Sequence, residues 1–190
     1  MKLVITGVTR GLGRALAEWY IANGHTVAGC GRSGPAIFDL RFTHPEPHSF
    51  DALDVTQAVK VGLWAERVLG AGVPDLVINN AALMNTPAPL WKVPAEEFSA
   101  LLSVNIAGVA NVIRAFVPAM VERGLMLSTA LAPRIGYDAA AAIAKEAYNT
   151  GRTVREVARE RSGLDDAELN RLLDAEAMTH PGRDAGPAGG

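Results

Sequence analysis

The segment Thr6-Gly7-Val8-Thr9-Arg10-Gly11-Leu12-Gly13 lies between an apolar run, Lys2-Leu3-Val4-Ile5, and a helical pattern that begins near Arg14. A strand, a glycine-rich turn and a helix in that order make a phosphate cradle. Glycines allow the tight turn and close approach of backbone to a pyrophosphate, while the helix start offers free N–H groups and a partial positive charge. Three glycines alone carry little information. The strand before them and the helix after them supply the context the motif requires.

Further along, Asp54-Val55 closes a short apolar strand, and Leu76-Val77-Ile78-Asn79-Asn80-Ala81-Ala82 is a strand ending in an Asn-Asn-Ala turn. Val104-Asn105-Ile106-Ala107-Gly108 opens a long helix. Taken with the glycine loop, these motifs make residues 1–124 resemble the short-chain dehydrogenase/reductase family, in order and spacing. The resemblance implies an NAD(P)-binding, Rossmann-like fold.

Strands are expected at 2–6, 26–31, about 50–54 and 75–79, with helices near 12–23, 57–70 and 104–122 and another opening at Pro94 ahead of Glu96 and Glu97. Asn23-Gly24 is a helix stop signal. Residues 33–48, rich in Gly, Pro, Ser and His, read as loop. This alternation predicts an α/β fold: a truncated, doubly wound parallel sheet with a short helical C-terminal appendage.

Composition changes after Gly124. All three Trp and all five Phe precede it, and charge is denser beyond it. Trp19, Trp64 and Trp91 are expected to pack in the core or at its rim. Thr153/Glu156 and Asp165/Glu168 have capping-box spacing and mark two short helices; Asp138–Tyr148 is helical by propensity. The run Leu125–Pro133, Ile135-Gly136-Tyr137-Asp138, Ile143-Ala144-Lys145 and Leu172-Leu173-Asp174…Met178 resembles the C-terminal end of class II fumarases. There the segment is a peripheral helical module; the family's catalytic Gly-Ser-Ser loop has no counterpart here. The expected organisation is therefore an incomplete Rossmann-like domain over 1–124, a fumarase-like helical segment over 125–178 and a disordered tail over 179–190.

By resemblance, Gly7, Thr9, Arg10, Gly11, Leu12 and Gly13 form the phosphate loop. Asp54 and Val55 meet the adenine, and Asn80 and Ala81 flank the adenosine. Asn79 is expected to tie neighbouring strands together. Arg10 and Arg32, with no acidic residue ending the second strand, favour NADP over NAD. Asn105 matches the active-site Asn that kinks its helix and holds a water of the proton relay. The family's Tyr-x-x-x-Lys pair is missing: Tyr137 and Lys145 are eight residues apart, and Tyr148 is followed at four by Arg152, which cannot deprotonate. Without that pair Asn105 has no relay to serve and is expected to be structural. Ser128 arrives too soon after Asn105 for the family's serine.

The functional expectation is an NADP-binding oxidoreductase of the carbonyl/alcohol class with impaired catalysis. A non-catalytic binding or assembly module is the alternative, and a fumarase-related lyase fragment the next. Residues 125–130 are read as a strand beside 75–79; unpaired, that edge would invite self-association, and homo-oligomers are expected in either case. A net charge of −2 gives no argument for nucleic acid or membrane. No run approaching transmembrane length and no signal peptide is read in the sequence, so a cytoplasmic setting is expected. The single cysteine, Cys30, sits in an apolar strand and reads as a buried thiol. The four histidines show no metal-ligand spacing.

Overall fold

The computed structural model describes residues 1–123 and 125–174. Among them the chain divides into two compact units, the first ending at Pro118 and the second starting at Ala119.

The first unit is built on a parallel sheet of β1 (Lys2–Thr6), β2 (Thr26–Gly31), β3 (Ser49–Ala52) and β4 (Leu76–Ile78), in the order β3-β2-β1-β4. Register runs Leu3 to Val27 and to Leu76, and Gly29 to Phe50. Helices α1 (Gly11–Ala22), α2 (Gly34–Thr43) and α3 (Ala58–Gly70) make the crossovers that parallel pairing demands. Period-2 alternation divides β1 between the two faces of the sheet. Leu3 and Ile5 pack with Val27, Ala17 of α1, and Ile37 and Leu40 of α2. Trp64 of α3 is fully buried and meets Phe116 edge to face at 5.1 Å. Lys2 reaches the C-terminal end of α3, where its ammonium donates to the Val68 and Gly72 carbonyls.

Several expectations are corrected. Residues 33–48 are not all loop, because Gly34–Thr43 is α2. Ser33 caps it through the Ala36 N–H and a proline occupies its first turn, so the residues that looked like breakers are start signals. The helix expected to open at Pro94 starts at Ala95 as read, but it is continuous with the one expected from 104. It runs through α4 (Ala95–Leu102), a π turn (Ser103–Gly108) and α5 (Val109–Arg123). An 18-residue window within that 29-residue stretch has a mean hydropathy of 1.7, so by length and composition alone the helix could cross a bilayer, where the sequence expectation had no run of that length. Of the tryptophans only Trp64 is core; Trp19 and Trp91 are 58% and 84% exposed.

His48 accepts the backbone N–H of Val27 through Nδ1 at 3.3 Å, joining the residue before β3 to β2. Burial holds its pKa below the ordinary histidine value, and the charge of nearby His44 pushes the same way. A neutral imidazole favoured by folding contributes stability above the ordinary pKa, and that contribution is lost as pH falls through the lowered one. The gap in thermal midpoint between wild type and His48→Ala should therefore narrow from pH 7.5 to pH 5, as read by circular dichroism.

The second unit is helical. Leu125–Ala130 is a 3-10 turn rather than a strand, so the sheet has four strands among the described residues and β4 is its edge. Leu127 and Leu131, one helical turn apart, are buried with Ala132 of α6 (Ala132–Ile135), Ile143 and Ala147 of α7 (Tyr137–Thr150), Val157 of α8 (Val154–Arg161) and Leu169 of α9 (Asp166–Leu172). A strand would turn residues four apart the same way too, but the i, i+3 bonding of the 3-10 turn is what forms here. Thr153 and Glu156 complete a capping box on α8, and Asp165 caps α9 through the Glu168 N–H. Met178, His180 and the expected tail at 179–190 lie outside the described residues.

Candidate functional site

The glycine loop is fastened on two sides. The Gly7 and Val8 N–H groups both donate to the Cys30 carbonyl, at 2.7 and 3.1 Å, which staples the loop to the end of β2. On the other side the Thr6 hydroxyl, 1% exposed, accepts from the backbone N–H groups of Asn80 and Ala81, each at 3.0 Å. Asn80 returns its amide to the carbonyls of Thr6 and Gly7 at 3.0 and 3.2 Å. Asn80, not the exposed Asn79, therefore ties β4 to β1. Side chains alternate at the end of a strand, and register gives the inward place to Asn80.

Gly13 is held against this knot. A Cβ there would lie 2.2 Å from the Gly7 carbonyl oxygen and 2.3 Å from the Asn80 amide nitrogen. Gly7 itself has φ of 74°, a left-handed conformation that favours glycine. The result is a short, fixed turn leading directly into α1. Arg10 is the N-cap of α1 and its side chain makes no capping bond. The first N–H groups of a helix have no acceptor inside it, so this helix start is left open to an external anion.

That start forms one wall of a cleft of about 790 Å³ at the C-terminal ends of the strands. Gly7, Thr9, Arg10, Gly11, Leu12 and Gly13 line it from the loop, and Arg32 from the end of β2. Asp54 and Val55 line it from the segment after β3, and Asn80 and Ala81 from the turn after β4. All the candidate binding residues thus come together, although they stand up to 74 positions apart. Sequence reasoning missed Ala36, Leu53 and Val104, which also line the cleft. Leu53 and Val104 continue patterns already recognised, whereas Ala36 belongs to the unpredicted α2.

Charges around the cleft differ in what they are free to do. Arg14 is engaged by Glu18 and Asp39 and braces α1 against α2. Arg32 lies 4.0 Å from Asp54. Arg10 is exposed at the rim. Burial in β2 pushes the Cys30 thiol up to about 12, so it stays protonated and is no nucleophile.

Asn105 sits in the π turn and does not line the cleft. Its Oδ1 accepts from the Leu83 N–H at 2.8 Å and its Nδ2 donates to the Leu83 carbonyl at 2.9 Å. Both ends of the amide are thus engaged with one backbone residue. Asn111, a turn and a half further on, donates to the Val55 carbonyl at 3.0 Å and holds the rim of the cleft. In the second unit Tyr137 and Tyr148 are 84% and 75% exposed, and Arg152 is paired with Glu160. Ser128 is buried in the 3-10 turn.

Residues 2–129 match the family model of short chain dehydrogenases. The chain belongs to that family. Residues 127–180 match the model of the fumarase C C-terminus. An NADPH-dependent pterin aldehyde reductase of Arabidopsis thaliana is 40% identical over 124 residues, covering 64% of this chain and 51% of the relative. A class II fumarate hydratase of Mesorhizobium japonicum is 50% identical over 66 residues, 35% of this chain and 14% of that one. Among solved structures, a short-chain dehydrogenase from Streptomyces avermitilis aligns with a TM-score of 0.59 at 33% identity, over 64% of this chain and 45% of that one. A metagenomic short-chain oxidoreductase in complex with NADP aligns with a TM-score of 0.58 at 28% identity, over 64% and 57%. The chain spans about half the length of the curated dehydrogenases it matches.

Proposed function

We propose that this chain binds the adenosine and pyrophosphate portion of a nicotinamide dinucleotide, NADP in preference to NAD, in the cleft of the first unit. The observation that carries this reading is the helix start of α1. It lacks a side-chain cap, follows a loop clamped to two neighbouring strands, and opens into the one cleft where all the candidate binding residues meet. The glycine geometry fits the group, because loop and helix approach each other too closely for any side chain at Gly13.

The bound nicotinamide would supply the hydride donor or acceptor for a carbonyl or alcohol. The residues present divide the remaining work. The N–H groups of Gly11, Leu12 and Gly13 would hold the pyrophosphate, Asp54 and Val55 the adenine edge, and Arg10 and Arg32 a 2′-phosphate. Asn80 and Thr6 keep the loop in place. Asn105 holds the segment after β4 through Leu83 rather than a proton. The family's Tyr and Lys have no counterpart at the required spacing, so proton transfer at the reacting oxygen lacks its donor and hydride transfer is impaired.

Isothermal titration with NADPH and 2′,5′-ADP tests the reading. Micromolar or tighter binding is expected for both, and no binding to folded protein overturns it. Arg32→Ala should weaken NADPH by about tenfold, the loss of one charge-assisted hydrogen bond of roughly 1.5 kcal/mol, while NADH changes little. Equal loss for both cofactors would remove Arg32 from 2′-phosphate recognition.

A second reading, a non-catalytic binding or assembly module, is favoured by Met84, Leu90 and Trp91, which are 88%, 71% and 84% exposed on the first unit. Apolar groups this exposed in one short segment favour association. Sedimentation velocity should then show dimers or larger species at micromolar concentration, and Trp91→Asp should return the protein to monomer.

A further inference from the structure

The cleft contains an arrangement that the phosphate loop does not explain. Asp54 is held by its own chain: its Oδ1 accepts from the Thr56 N–H at 2.9 Å and from the Thr56 hydroxyl at 2.8 Å. This turn fixes one carboxylate oxygen and therefore the plane of the group. The other oxygen, Oδ2, lies 4.0 Å from Nη1 of Arg32. Asn111 secures the next residue by donating to the Val55 carbonyl. The Asp54 side chain is 26% exposed and that of Arg32 60% exposed, so a fixed acid stands beside a flexible base.

Other groups near Arg32 cannot steer it. The Ser33 hydroxyl is used in capping α2. Arg14 is bound to Glu18 and Asp39, and Asp51 is shared by Arg41 and Arg67. Asp54 is the one carboxylate that the described residues place within ion-pair range of Arg32.

We propose that Asp54 is a positioning residue for cofactor selectivity: clamped by Thr56, it orients the Arg32 guanidinium within the cleft and so sets the preference for a 2′-phosphate. This rests on the dinucleotide reading above and adds to it a second role for Asp54 beyond contact with adenine. An exposed arginine has many rotamers, and binding a phosphate with it costs the entropy of fixing one of them. A carboxylate 4.0 Å away narrows that choice before the ligand arrives. The pair is long enough for the guanidinium to keep donors free for an incoming phosphate.

The test is the ratio of affinities for 2′,5′-ADP and 5′-AMP, measured by calorimetry on the full chain at low ionic strength. The two probes share the adenine, the ribose and a single 5′-phosphate and differ only in the 2′-phosphate, so any effect of Asp54 on adenine cancels in the ratio. Asp54→Asn should lower the ratio about three- to tenfold, whatever it does to each affinity alone. Thr56→Val, which removes the hydroxyl bond of the clamp, keeps the backbone one and leaves every charge in place, should lower it by a smaller factor and decides the matter if Asp54→Asn does not fold. Raising the salt to 0.5 M should shrink the wild-type ratio more than that of Asp54→Asn. An unchanged ratio in both variants overturns the proposal and leaves dinucleotide binding standing. A wild-type ratio near one overturns it as well, since Arg32 would then have no 2′-phosphate to meet. Binding of neither probe by wild type overturns the dinucleotide reading itself and this proposal with it.

Discussion

Gly13→Val should abolish dinucleotide binding and lower the stability of the first unit by about 3 kcal/mol or more, through overpacking and broken hydrogen bonds. The new Cβ would sit 2.2 Å from the Gly7 carbonyl oxygen, a backbone atom that cannot swing aside. Gly7 is held by its own N–H on Cys30 and by the Asn80 amide on its carbonyl. Relief requires α1 to withdraw from the loop, which opens the phosphate turn and breaks the Asn80 bonds. Ligand affinity should fall about a hundredfold or more, some 2.7 kcal/mol. The comparison is Gly11→Ala. Gly11 has φ of 56° with open space around it, so that substitution brings strain of about 1–2 kcal/mol but no collision. Thermal unfolding and NADPH titration of the two variants separate the effects. A Gly13→Val protein with the wild-type midpoint would show that the loop yields, contrary to the geometry.

Thr6→Val should cost about 2–3 kcal/mol, because it preserves shape while removing a buried acceptor. The Ala81 N–H loses the partner it has in the Thr6 hydroxyl, and the Asn80 N–H keeps only the Ile78 carbonyl at 3.1 Å. The turn after β4 then loosens, and Asn80 with it, so binding should weaken along with stability. Thr6→Ser retains the hydroxyl and should restore most of both. Hydrogen exchange at Ala81 gives the local readout. Protection there in Thr6→Val equal to wild type would mean that the hydroxyl is not what holds the turn.

Much of the fold was legible because its signals are local. The glycine loop lies between a strand and a helix adjacent in sequence, so β1, the turn and α1 could be read together. The strands at 26–31 and 75–79 and the helix at 57–70 were visible from apolar runs bounded by Gly, Pro and Asn. The C-terminal caps at Thr153 and Asp165 needed only three-residue spacing. The errors fell where local signals conflict. Gly34 and Pro35 have the composition of a loop, yet Ser33 ahead of them caps a helix whose Ile37 and Leu40 are buried beneath the sheet. Leu125–Ala130 is too short for periodicity to choose between strand and helix, and the surrounding core chose.

The amino-acid order by itself determined which groups were available: a glycine-rich loop at Gly7–Gly13, basic residues at 10 and 32, a carboxylate at 54, and no Tyr-x-x-x-Lys in the sequence. It could not determine how they meet. Parallel pairing in the order β3-β2-β1-β4 brings the C-terminal ends of four strands to one edge, and that places Arg32, Asp54 and Asn80 around a single cleft. Strand register gave the inward position to Asn80 instead of Asn79. Close contact between loop and helix turned Gly13 from a ligand-approach residue into a packing requirement of the protein itself. Each of these depends on distances between residues far apart in the chain, which no local pattern encodes and only the folded sheet supplies.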